Sequence, residues 1–181
     1  MDKPTFKIIF TVVTILAFGC CVSLIIASFV PFMFVVTVNG EKHDLATFGP
    51  FNWDHGGTVK MYESVMGSFR FIQVLFVTAA TATFLGPLIA IGGYRSKKFK
   101  KPTGIIVLVC AVFLGFLAIA YTAQYAWSVA NKKLISMQPS IADLVIGSER
   151  IPFPPFMISV WMMMCVFTVL GILVLIHKFD N

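Results

Sequence analysis

The chain has 181 residues, of which 58% are hydrophobic and 12% charged, and it carries a formal net charge of +6. That length gives room for one domain, and that composition excludes an ordinary soluble fold. The positive balance does not point to nucleic acid, because the basic residues concentrate in one tight turn that offers no groove-sized surface.

Four runs contain no Asp, Glu, Lys or Arg: 8–38, 71–94, 104–130 and 151–176. Each meets the roughly 20 helical residues needed to cross a bilayer core about 30 Å thick. They predict spans at about 8–34, 71–94, 104–129 and 154–176 in a single membrane domain over 1–181, with outer loops 37–70 and 130–153 and an inner loop 95–103. The expected fold is an all-α membrane protein, a four-transmembrane-helix bundle with a small extracellular β-sheet.

The first run exceeds the roughly 7 to 15 apolar residues of a cleavable secretory signal and reads as an uncleaved signal anchor. Its surplus length lets the chain leave the membrane after Pro31 as a strand. The β-branched stretch Val35–Val38, the turn pair Asn39-Gly40 and the partly alternating "EKHDLATF" then predict a hairpin. Next comes "FGPFNWDHGG", whose Phe48, Phe51 and Trp53 suit an aromatic tip seated at the membrane interface or against a partner. Val59, Tyr62, Val65, Met66 and Phe69 recur at helical spacing, which predicts that the second helix begins before its span.

His43, Asp44, Asp54 and His55 lack any recognised metal-ligand spacing. The sequence also has no Cys-x-x-Cys, no Gly-rich phosphate loop and no Gly-x-Ser-x-Gly, so neither an enzyme nor a cofactor is expected.

In the second span Ala82, Gly86 and Ala90 share one face, and the third offers Ala111, Gly115 and Ala118. Small residues at this spacing mark helix contacts in lipid, so these two spans are expected to pack together. Pro87 is expected to kink the second helix. Tyr121, Gln124 and Tyr125 read as interfacial anchors near the outer end of the third. Carboxylates, His, Lys and Arg, the usual mark of a transporter, are missing from the spans. In the second outer loop Leu144 and Val145 offer a contact surface.

Charge orients the chain. Lys3, Lys7, Arg95, Lys97, Lys98, Lys100, Lys101 and Lys178 would lie on one side, while the six basic residues of the other two loops are balanced by six acidic ones. Basic residues are retained in the cytoplasm, so both termini and the 95–103 loop are expected there. Arg95, Lys97, Lys98, Lys100 and Lys101 act as the topology signal and also suit anionic lipid.

Four spans, cytoplasmic termini, a long first outer loop with strand character and a Trp-bearing aromatic segment, and a tight inner turn together resemble the claudin-like superfamily. It includes claudins, channel auxiliary subunits and the amastins. "LATFGPFNWDH" is similar to the amastin signature at Thr47, Phe48, Gly49 and Asp54, and "FRFIQVLFV" and "FMISVWMMMC" are also amastin-like. The outer-loop cysteine pair of those families has no counterpart here, so the loop must be held by its hairpin and by aromatic packing. The resemblance implies a non-enzymatic surface tetraspan that embeds in the lipid bilayer and acts in protein–protein interaction or adhesion at the plasma membrane. Its partner would be a membrane protein or a second copy of itself. The alternative is an auxiliary subunit of a channel, receptor or other membrane complex.

Overall fold

The computed structural model describes residues 3–31, 34–37, 45–65, 67–131 and 155–177. In chain order these form α1 (Lys3–Phe29), β1 (Phe34–Thr37), β2 (Leu45–Phe48), β3 (Asn52–His55), β4 (Thr58–Met61), α2 (Gly67–Arg95), α3 (Lys100–Asn131) and α4 (Pro155–Ile176). All four helices are long and apolar enough to cross a membrane. With one small sheet beside them, they make a mostly helical tetraspan architecture.

The strands form an antiparallel meander in the order β1-β2-β3-β4. Phe34 faces Phe48 across β1 and β2, Phe48 faces Trp53 across β2 and β3, and Asn52 faces Met61 across β3 and β4. β1 and β2 pair antiparallel, as the hairpin reading expected, but Thr37 pairs with Leu45, so Asn39-Gly40 does not close them as a two-residue turn; residues 38–44 lie outside the described residues. The second half of the sheet corrects the helical reading of 59–69. Gly56 and Gly57 adopt φ of 65° and 78°, the two positive values of a type I′ turn, and they reverse the chain between His55 and Thr58. Val59 and Met61 therefore alternate along a strand, and α2 starts only at Gly67.

Two compact units make up the chain. The first comprises Met1–Leu24, Val77–Phe116 and Val160–Asn181, and segments of all four helices meet in it. Here the small residues serve α4 more than the expected pairing of α2 with α3. A Cβ on Gly86 would lie 2.6 Å from Phe167, one on Gly115 would lie 3.2 Å from Met164, and one on Gly171 would lie 2.8 Å from Leu108. Contact between α2 and α3 is made where Gly93 receives Thr103 and where Cys110 comes within 3.7 Å of the Gly86 position. Ala90 and Ala111 are buried and Ala82 is half-buried. Pro87 sits inside an uninterrupted α2, and the Thr83 hydroxyl one turn earlier donates to the Ala80 carbonyl at 2.9 Å.

Hydroxyls along the helices are satisfied in the same local way, as lipid offers no water. Thr14 donates to Phe10 O at 2.7 Å and Thr168 to Met164 O at 2.9 Å.

The second unit, Ile25–Phe76 and Leu117–Ser159, holds the sheet and the adjoining helix ends. Phe48, Phe69, Phe76 and Tyr121 form its buried centre. Phe156 stacks on Phe76 at 6.2 Å and meets Tyr121 edge-on at 5.7 Å. Tyr121 is fully buried and Gln124 nearly so, which corrects their reading as interfacial anchors: they face the core, and Trp127, further along, is the exposed aromatic.

Candidate functional site: the clamped sheet

The turn between β2 and β3 is built from Pro50 and Phe51, with proline pre-setting the first turn torsion. Gly49 N–H donates to Asn52 O at 2.7 Å across it. Only glycine fits at 49, because a Cβ there would collide with the Asn52 amide oxygen and lie 3.0 Å from Pro31 Cα.

Three side chains clamp this turn. Asn52 Nδ2 donates to the carbonyl of Phe29, the last residue of α1, at 2.7 Å. The Tyr62 hydroxyl donates to Gly49 O at 3.1 Å, and Gln73 Nε2, from the first turns of α2, donates to Pro50 O at 2.8 Å. Tyr62 also meets Phe69 edge-on at 5.9 Å, and burial pushes its phenol well above the usual range. The turn is thus tied to the end of α1 and the start of α2 by neutral hydrogen bonds, each with a net worth of about 1 kcal/mol.

The aromatic residues expected to form a presenting tip point inward. Phe48 is fully buried and Trp53 is 7% exposed, while Phe51 is half-buried and packs edge-on against Phe76 at 5.9 Å. Their burial makes them the core of the sheet unit and leaves them little surface for a partner. Lys60, opposite Trp53 on β4, holds its ammonium 5.7 Å from the indole centroid and covers the ring. Among the described residues, Trp53 Nε1 and Asp54 Oδ1 meet no hydrogen-bond partner.

What the sheet does expose is its edge. All four residues of β4 are exposed, and Val59 and Met61 are apolar at 55% and 74% exposure. This edge went unnoticed in the sequence because a helix was read there, although "HGGT" between alternating residues carries the hairpin signal. Asn52 and Gln73 were also missed; a glutamine placed early in an apolar run is the sign that could have found the second. Leu144 and Val145 lie outside the described residues.

In the helical unit, Arg95 ends α2, residues 96–99 turn, and Lys100 and Lys101 open α3. Arg95, Lys97, Lys98 and Lys101 are exposed, whereas Lys100 donates a hydrogen bond to the His177 carbonyl just past α4. The His177 ring stacks on Tyr94 at 4.4 Å and on Phe6 at 5.1 Å, and Phe10 stacks on Tyr94 at 4.4 Å. Among the described residues no cluster of His, Cys, Asp and Glu is arranged to hold a metal ion. In comparisons with known proteins, no family model and no curated protein matches this chain.

Proposed function

We propose that this protein is a non-enzymatic, claudin-like tetraspan that acts through protein–protein interaction or adhesion at the cell surface. In this reading the plasma membrane holds the chain with both termini and the 96–99 turn in the cytoplasm and the sheet outside. Charge supports that orientation, since basic residues are retained on the cytoplasmic side.

The observation that carries the reading is the exposed edge strand β4. A sheet edge presents unpaired backbone donors and acceptors, and proteins usually blunt such an edge unless it is used. Here one lysine stands between two exposed apolar residues, and that lysine is occupied over Trp53. The rest of the sheet is clamped to helix ends, which would hold the edge in a fixed position.

Purification in mild detergent, with mass spectrometry of co-purifying proteins and determination of the particle mass, tests this. A partner or second copy that is lost in Val59→Lys and Met61→Lys variants, with yield unchanged, is the expected result. A stoichiometric channel or receptor complex that survives both substitutions would instead make the chain an auxiliary subunit holding its partner through helix faces.

A further inference from the structure

The turn joining α2 to α3 combines charge with an exposed aromatic ring at the end of two apolar spans. The candidate spans run Gly67–Arg95 and Lys100–Trp127, so when both helices cross a bilayer the turn between them falls at the headgroup boundary. Phe99 is 57% exposed there, and the Lys98 ammonium lies 5.9 Å from its ring centroid. An aromatic ring in open water gains nothing, whereas at the headgroup boundary its apolar body and the neighbouring charge are both accommodated.

The turn is held in shape. Thr103 N–H donates to Phe99 O at 3.0 Å, and the Thr103 side chain packs onto Gly93. Lys100 is committed to the His177 carbonyl, so the five-residue basic cluster divides into one structural lysine and an exposed remainder. No Asp or Glu occurs between Glu63 and Asp143 in the sequence, so neither helix that meets at the turn brings an acidic residue of its own.

We propose that this turn binds anionic lipid headgroups of the adjacent leaflet, with Arg95, Lys98 and Lys101 as the charge contacts and Phe99 inserted beside them. A soluble anion would use the charges and leave Phe99 without a role; a lipid uses both. The proposed orientation places the turn at the cytoplasmic leaflet, where anionic lipid is concentrated. The test below does not depend on orientation, so its failure leaves the interaction reading untouched.

The full chain is reconstituted in nanodiscs containing spin-labelled phosphatidylserine or phosphatidylcholine, and the motionally restricted fraction is measured. Wild type is expected to hold phosphatidylserine in excess. That preference should fall by up to about fivefold per residue in Arg95→Gln, Lys98→Gln and Lys101→Gln, persist in Lys98→Arg/Lys101→Arg, and weaken in Phe99→Ala with helix content unchanged. Equal retention of the two lipids by wild type would overturn the proposal. So would a preference untouched by the glutamine substitutions, or one abolished by millimolar inorganic phosphate at constant ionic strength.

Discussion

Asn52 joins the sheet to the membrane helices through a single donor. Replacing it with Ala leaves the terminal carbonyl of α1 without that partner in a part-buried setting, and a loss of about 1 kcal/mol is expected, read as lowered thermal stability in detergent. Asn52→Asp should be at least as damaging, since a carboxylate cannot donate to Phe29 O. Tyr62 gives a pH signature. Its folded-state pKa is raised by burial, so the stability it contributes is complete below the unfolded value of about 10 and is lost as pH climbs above it. Unfolding followed from pH 9 upward should therefore show an alkaline loss that Tyr62→Phe reduces, at the cost of the bond to Gly49 O. Tyr62 was noticed in the sequence only for its spacing, because its value lies in what its hydroxyl reaches.

Each element carries its own constraint. In the β3–β4 hairpin both turn glycines have positive φ, where an L side chain costs roughly 1–2 kcal/mol. Gly57→Val is expected to destabilise the sheet by that amount, while Gly56→Asn, a residue that tolerates the left-handed region, should be nearly neutral in the same melting assay. In the helices, Gly86→Ala places a methyl 2.6 Å from the ring of the fully buried Phe167. Overpacking of this kind costs about 1–3 kcal/mol. Phe167→Leu should recover part of the loss in the double variant, and a purely additive pair would show that the two side chains do not meet. The small-residue faces of α2 and α3 were legible because their spacing is local. That Gly86 and Gly115 also receive side chains of α4 was not, since spacing on one helix does not say which neighbour fills the notch.

Taken as a whole, the chain separates charge strongly. The segments of the helical unit carry Lys3, Lys7, Arg95, Lys97, Lys98, Lys100, Lys101 and Lys178 against Asp2 and Asp180, whereas the sheet-bearing segments balance six basic with six acidic residues. If α2 crosses the bilayer, epitope tags inserted between residues 97 and 98 and within residues 39–43 must report opposite sides in an accessibility assay. The charge pattern predicts the first to be cytoplasmic. Finding both tags on one side would show that α2 does not cross.

The four helices long and apolar enough to cross a membrane could be read directly from the chain, because the cost of placing charge in hydrocarbon acts residue by residue and depends only on local composition. The antiparallel pairing of the first two strands was legible for a similar reason, their strand signals lying close together in the chain. The inward packing of Phe48 and Trp53, the clamp made by Asn52, Tyr62 and Gln73, and the diversion of Lys100 to His177 all required the fold. Each depends on groups distant in sequence meeting in space, and the same aromatic residue lowers its free energy equally well at a bilayer interface or in a protein core. Which of the two it enters is settled by the neighbours that the chain brings to it.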